Sequence, residues 1–213
     1  MSTQEKTNPI RFLIADDHPI VCEGLAALIN RRKDMTVVAE ARNGQEAVEL
    51  FQQHRPDVSL VDLRMPELNG VAAIEKIRQQ HRDARIIVLT TYDGDEDIYH
   101  ALRAGAQAYL LKDAPRQDLL ACIRAVHQGV TSLSPTLAEK LVAHARSETL
   151  TDRELTVLRL MSEGRLNKEI GTALSITEGT VKLHVNSILS KLKVTNRTEA
   201  VNVALKRGIL HVD

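Results

Sequence analysis

SLVDLRMPELNG, residues 59–70, decides the fold. An apolar run ends there in a single carboxylate, Asp62, and Pro66 breaks the chain soon after. An acid at the carboxyl end of a buried strand costs desolvation free energy unless it is paired or put to chemical use. On either side the same pattern repeats. The runs IRFLIA (10–15), MTVVAE (35–40), DVSLV (57–61), RIIVLT (85–90) and AQAYLL (106–111) read as strands. Amphipathic patterns at 19–32, 44–54, 69–80, 95–104 and 116–128 read as the helices between them. A strand followed by a crossover helix, repeated along the chain, calls for parallel pairing in a sheet covered on both faces. Pro19 just inside a helix start and Gly105 just past a helix end fit the asymmetry of helix termini. The expectation is an α/β class protein: a (βα)5 doubly wound parallel sheet.

After Gly129 the pattern changes. SLSPTLAEKLVAHARSE reads as a short connecting helix, and no strand pattern follows it. Helical periodicity then covers 151–163, 167–174, 178–192 and 196–207, with Thr151, Thr177 and Asn196 as cap candidates. The expected organisation is a sheet domain over 10–128, a linker with a short helix over 129–147, and a small all-α four-helix domain over 148–213. Two domains also suit the length of 213 residues.

Composition excludes some classes. No apolar run approaches the roughly 18–20 residues of a membrane span, and the polar start MSTQEKTNPIR lacks the apolar stretch of a secretory signal. A cytoplasmic protein with no membrane partner is expected. Cys22 and Cys122 stand far apart in apolar segments, which suits reduced packing residues better than a metal site or a disulfide framework. Overall neutrality hides an asymmetry: residues 151–213 hold 10 Lys and Arg against 7 Asp and Glu, while residues 1–150 hold 18 against 21. The excess of positive charge at the back points weakly to an anionic partner.

In an open parallel sheet, ligands bind beyond the carboxyl ends of the strands. Asp16 and Asp17 follow the first strand, Asp62 the third, Thr90 ends the fourth and Lys112 follows the fifth. Three converging carboxylates repel one another and call for a cation, and an oxygen donor set suits Mg²⁺. In the expected chemistry Asp62 is the nucleophile that accepts a phosphoryl group as an acyl phosphate. Asp17 and Asp62 hold Mg²⁺ directly and Asp16 through water. Lys112 neutralises developing charge, and Thr90 donates to a phosphoryl oxygen.

IADDHP, SLVDLRMPELNG, VLTTYD and AYLLKDA together resemble the receiver domain of bacterial two-component response regulators. The resemblance implies Asp62 as phosphoacceptor, Asp16 and Asp17 as the metal pair, and the backbone carbonyl of Arg64 as a further metal ligand. It makes Thr90 the switch hydroxyl, Lys112 the lysine of the pocket, and Tyr109 an aromatic that moves between outward and inward rotamers. Arg64 and Tyr92 lie two residues after Asp62 and Thr90, where bulky side chains shield an acyl phosphate from water. A phosphoprotein that persists for many minutes or longer is therefore expected.

In EGTVKLHVNSILSKLKV the residues Val181, Val185, Ile188, Leu189 and Leu192 share one helical face. The opposite arc carries Gly179, Thr180, Leu183, Asn186, Ser187 and Ser190, flanked by Lys182 and Lys191. A small, uncharged, hydrogen-bonding face between cations suits base edges walled by phosphates. NKEIGTAL and the break SIT supply the preceding helix and turn of a helix-turn-helix. Between Arg165 and Arg197 there are 6 Lys and Arg against 2 Asp and Glu. The segment from LTDRELTVLRL to TEAV resembles the LuxR-type helix-turn-helix, so the whole chain resembles a response regulator of the NarL/FixJ subfamily. Leu166 replaces a serine usual in the family, leaving Asn167 to cap the next helix, and Gly171 replaces an alanine and should weaken that helix slightly.

The base-reading candidates are Lys182, Leu183 and Asn186, with Leu183 meeting a thymine methyl. Thr180, Lys191 and Asn167 are expected at phosphates, Lys168 belongs to the same surface, and His184 is expected to pack or touch phosphate. The implied function is a DNA-binding transcriptional response regulator. A cognate sensor histidine kinase phosphorylates it on Asp62, and phosphorylation favours a homodimer on double-stranded promoter DNA. It is not expected to be an enzyme with turnover. Two rivals stay open: an aspartate-nucleophile phosphatase, which usually places a general acid where Arg64 stands, and a protein-interaction module whose helical tail docks a partner.

Overall fold

A computed structural model describes residues 8–91, 94–145 and 148–210, which form two compact units. The first is built on the strands β1 (Ile10–Ala15), β2 (Met35–Ala41), β3 (Val58–Val61), β4 (Ile86–Thr90) and β5 (Ala108–Leu111). The helices between and after them are α1 (Pro19–Asn30), α2 (Gly44–His54), α3 (Gly70–Gln80), α4 (Asp95–Ala104) and α5 (Arg116–His127). Every strand pair is parallel, in the order β2-β1-β3-β4-β5. The chain winds outward from β1 to β2, then crosses back to β3 and winds the other way. The order reverses between β1 and β3, so their carboxyl ends flank the crevice.

β3 and β4, inside the sheet, are buried along their whole length, whereas β2 at its edge is mostly half-buried. Phe12, Ile14, Leu60 and Ile87 pack with Cys22 and Ile29 of α1 and with Leu119, Ile123 and Val126 of α5 in one apolar cluster. The register between β1 and β2 shifts between Phe12 and Leu13. β3 starts at Val58 and not at Asp57, whose carboxylate instead accepts from the Arg11 backbone N–H at 2.8 Å. Cys22 and Cys122 are free and buried, as expected of packing residues. Among the described residues no helix is long and apolar enough to cross a membrane.

Beyond α6 (Pro135–Ala145) come α7 (Asp152–Ser162), α8 (Asn167–Leu174), α9 (Glu178–Leu192) and α10 (Arg197–Arg207). Their core is Val157, Leu158, Met161, Ile170, Val181, Ile188, Leu192, Ala200 and Ala204, with Val185 and Leu189 packed at its margin. The three predicted caps hold: Thr151, Thr177 and Asn196 each accept a hydrogen bond from the backbone N–H three residues on. The expected cap at Asn167 does not form. Asn167 is the first residue inside α8, and the cap position is taken by Leu166, which has no side-chain acceptor. Only the reciprocal half of a capping arrangement is made there, with Glu169 accepting from the Leu166 N–H at 2.7 Å. Gly171 has a reason beyond propensity: a β-carbon on it would lie 2.8 Å from the Ile176 carbonyl oxygen, so the tight turn into α9 depends on its small size.

Candidate functional site

The carboxyl ends of the strands bring the predicted receiver residues to one place. Asp62 emerges from β3 with its N–H donated to the Ala15 carbonyl at 2.8 Å, and Asp16 leaves β1 with its N–H on the Ala41 carbonyl at 3.0 Å. Lys112 leaves β5 with its N–H on the carbonyl of Thr90 at 2.8 Å. Backbone pairing thus sets the height of each side chain above the sheet edge. The loop after Asp62 folds back tightly: the Gly70 N–H donates to the Leu63 carbonyl at 2.8 Å, and a β-carbon at Gly70 would fall 2.0 Å from the Asp62 carbonyl oxygen. Gly44 at the start of α2 holds the same loop through an N–H bond to the Leu68 carbonyl at 3.0 Å.

Asp62 is 4% exposed, and its two oxygens face different partners. Oδ1 accepts from the Leu63 N–H at 2.7 Å, and Oδ2 accepts from Lys112 Nζ at 2.7 Å. The same ammonium lies 2.8 Å from Asp16 Oδ2. Burial alone lowers the Lys112 pKa, but its bonds to Asp16 and Asp62 outweigh that and hold it above the ordinary lysine value. The lysine therefore stays charged at neutral pH. Thr90 is fully buried at the end of β4. Tyr109 is 0% exposed, which places it inward, one of the two positions expected of it. Arg64 lies two residues beyond Asp62 and is half-buried, while Tyr92 lies outside the described residues.

One neighbour escaped sequence reading. His18 directly follows the acidic pair, and its Nδ1 approaches Asp17 Oδ1 to 2.9 Å and Asp16 Oδ1 to 3.2 Å. Ligand atoms of Asp16, Asp17, His18 and Asp62 all lie within 4.8 Å of one another. The Asp17 Oδ1 atom is enclosed and accepts no hydrogen bond, since His18 meets it at ion-pair distance without hydrogen-bond geometry. A dense set of carboxylate oxygens with an unused acceptor is compatible with Mg²⁺. The adjacency of His18 to the acids was the available signal.

The second unit presents a different surface. α9 exposes Lys182, Leu183, Asn186 and Ser190, and Leu183 is 70% exposed. Lys182 pairs with Glu178 one turn earlier at 2.9 Å. Thr180 is half-buried, with its N–H on Thr177 Oγ1 at 3.2 Å and the two hydroxyls 3.0 Å apart. Lys168 is exposed, His184 is half-buried, and Asn167 is half-buried with Oδ1 enclosed and accepting no hydrogen bond.

Two expected surface positions are corrected. Lys191 does not stand free at the flank of α9: its Nζ donates to Glu154 Oε2 at 2.8 Å and to the Thr149 carbonyl at 3.1 Å. Ser187 does not face outward either, because its hydroxyl donates to Glu154 Oε1 at 2.6 Å. Helical angle alone put both outside. A buried carboxylate on the neighbouring helix draws them in. Glu154 is 5% exposed, and the bonds from Lys191, Ser187 and Thr151 outweigh the effect of burial and hold its pKa at about 2. Its spacing from Thr151, T-x-x-E, was the signal that could have found it.

Comparison with known proteins converges on the same two units. Residues 12–124 match the family of response regulator receiver domains, and residues 148–204 match the bacterial regulatory proteins of the luxR family. The nitrate/nitrite response regulator protein NarL of Escherichia coli K12 is 40% identical over 209 residues, covering 94% of this chain and 95% of that protein. The transcriptional regulatory protein LiaR of Bacillus subtilis is 40% identical, covering 95% of this chain and 100% of the relative. Among solved structures, that of RcsB from Salmonella enterica serovar Typhimurium bound to promoter P1flhDC in the presence of phosphomimetic BeF3- is 27% identical with a TM-score of 0.72, covering 92% of this chain and 98% of that one. Both domains and the relatives agree: this protein belongs to the response regulators of the NarL/FixJ type, transcription regulators with a receiver and a LuxR-type DNA-binding helix-turn-helix.

Proposed function

We propose that this transcription regulator is switched by phosphorylation of Asp62 by a partner sensor histidine kinase. The observation that carries the reading is the pairing of a buried Asp62 with Lys112 beside Asp16 and Asp17, at the edge where the sheet order reverses. In the step, an oxygen of Asp62 forms a bond to phosphorus as the phosphorus–nitrogen bond of a kinase phosphohistidine breaks, and the nitrogen keeps the electron pair. Asp16, Asp17 and Asp62, with the backbone carbonyl of Arg64, are the groups that would hold Mg²⁺, which when bound supplies positive charge against the transferred oxygens.

Lys112 is already charged and shared between Asp16 and Asp62. A phosphoryl group on Asp62 gives that ammonium a stronger anionic partner and offers the Thr90 hydroxyl an acceptor. Both residues sit at strand ends, so their movement is passed to the loops, and a pre-existing equilibrium is biased toward the active form. The active form pairs into a homodimer whose two copies read two half-sites of promoter DNA, gaining affinity through effective concentration. Lys182, Leu183 and Asn186 are assigned to base edges. Lys168, Thr180 and Asn167 are assigned to the phosphate walls, with His184 at the margin.

The chain does not turn over an external substrate in this reading. Arg64 stands where aspartate-nucleophile phosphatases need a proton donor, and a guanidinium does not give up its proton. Its bulk beside Asp62 favours a phosphoprotein that lasts many minutes or longer. The regulator works in the cytoplasm, where the kinase domain and the promoter both are.

The test uses the full chain, a small-molecule phosphodonor and Mg²⁺. Intact mass should show one added phosphoryl group on the parent and none on Asp62→Ala, and only the parent should gain DNA affinity on treatment. Equal uptake and equal gain by both would sink the assignment.

A further inference from the structure

Glu154 and its donors are not used by the phosphorylation switch, yet they hold the helix that meets DNA. Glu154 is the third residue of α7, and its carboxylate orientation is fixed from behind. Its Oε2 accepts from the Thr151 N–H at 2.7 Å and lies 3.0 Å from the Thr151 hydroxyl. From the front, Ser187 and Lys191, one turn apart on α9, reach the two oxygens of that same carboxylate. Residues four apart share a helical face, so both bonds form only at one rotation and one height of α9 against α7. The apolar contacts of Val181, Ile188 and Leu192 bury α9, but apolar contact is non-directional. Hydrogen bonds need a donor angle, and here they supply the direction.

We infer that Glu154, Ser187 and Lys191 form an internal clamp that sets the pose of α9 for sequence discrimination, and that Lys191 is a positioning residue and not a phosphate contact. Two of the three donors of the Lys191 ammonium are spent, on Glu154 and on the Thr149 carbonyl. Moving it to a phosphate would leave a buried carboxylate without its cation, which is costly. Leu183 lies one turn from Ser187 and Asn186 stands beside it, so rotation of α9 about its axis moves the base-reading side chains directly. The inference rests on the reading of α9 as the helix that contacts base edges.

The experiment compares full-length parent, Lys191→Gln, Lys191→Arg and Ser187→Ala on two probes: a duplex selected by the parent from random sequence, and random-sequence duplex of the same length. Kd is measured across a salt series after a thermal melt has confirmed folding. The expected result for Lys191→Gln is a fall of about tenfold in the preference for the selected duplex, the scale of one mismatched base pair. The salt slope should stay unchanged, because no phosphate contact is lost. Ser187→Ala should fall in the same direction by less, and Lys191→Arg should keep most of the preference.

A slope shallower by about 0.9 in Lys191→Gln would instead mark a lost phosphate contact and overturn the inference. Unchanged preference in the folded variants overturns it as well. If Lys191→Gln does not fold, Ser187→Ala decides alone, and an unchanged preference there overturns the clamp. The parent separates the two levels: absence of salt-dependent binding by the parent removes the DNA-reading role of α9 and the clamp with it, whereas normal parent binding with unchanged variants removes the clamp only.

Discussion

Two lysines in this chain each sit on buried carboxylates, and they do opposite things. Lys112 divides its charge between Asp16 and Asp62, next to a third carboxylate oxygen that accepts no hydrogen bond. That site carries more negative charge than the ammonium neutralises, so it has room for a further cation and an exchangeable arrangement. Lys191 meets one carboxylate, Glu154, whose oxygens also accept from Ser187 and Thr151. That site is closed. The same pair of residue types leaves negative charge over in the receiver pocket and makes a fastener in the helical unit, where both carboxylate oxygens are held by donors.

Removing each lysine should separate the two cases most sharply. Lys191→Met leaves Glu154 buried with no cation, and the second unit should lose about 2–4 kcal/mol of stability, read by denaturant titration. A loss below about 0.5 kcal/mol, the scale of an ordinary surface change, would show that the pair is an incidental contact.

The acid limb of the stability curve tests the same pair without a lysine substitution. The Glu154 pKa is lowered to about 2 from 4.5, so its contribution is fully present above about pH 4.5 and is lost as pH falls toward 2. Between those limits the parent should lose stability more steeply than Glu154→Gln, and chemical denaturation at several pH values measures the difference. Identical slopes would mean that the carboxylate titrates alike in the folded and unfolded chain.

In the receiver pocket, Lys112→Met should have a smaller and opposite effect. Asp16 Oδ2 and Asp62 Oδ2 are released from the ammonium, and Mg²⁺ affinity measured by calorimetry should tighten by about tenfold, or about 1.4 kcal/mol. Weaker binding would mean that the lysine orders the site more than it competes for it. The smallest expected change is at the cap of α9. Thr177→Ala removes the bond to the Thr180 N–H and should cost about 1 kcal/mol of stability, with the receiver pocket unaffected.

The receiver pocket was legible in the chain because strand ends are local facts. Each of Asp16, Asp17, Asp62, Thr90 and Lys112 lies at or just past the end of an apolar run, and parallel pairing then forces those ends together. The exposed face of α9 was legible in part for a related reason, since periodicity tells which residues oppose the core. It failed at Ser187 and Lys191, because angle about one helix contains no information on a buried acid contributed by another. It failed again at Leu166 and Asn167, where a missing side-chain acceptor was expected to shift the cap by one residue. Backbone geometry kept the helix start in place and let Glu169 satisfy the Leu166 N–H instead.

By itself the sequence determined the strand and helix alternation, the three caps, the core stripe of α9 and the convergence of acids at one sheet edge, because each follows from periodicity and from where apolar runs stop. Only the tertiary structure decided that Tyr109 lies inward, that His18 joins the acidic cluster, and that Lys191 belongs to Glu154. The physical reason is the same in each case. Rotamer choice and charge pairing depend on which atoms of other segments lie within about 3 Å, the reach of a hydrogen bond, and that distance is set by packing, not by order along the chain.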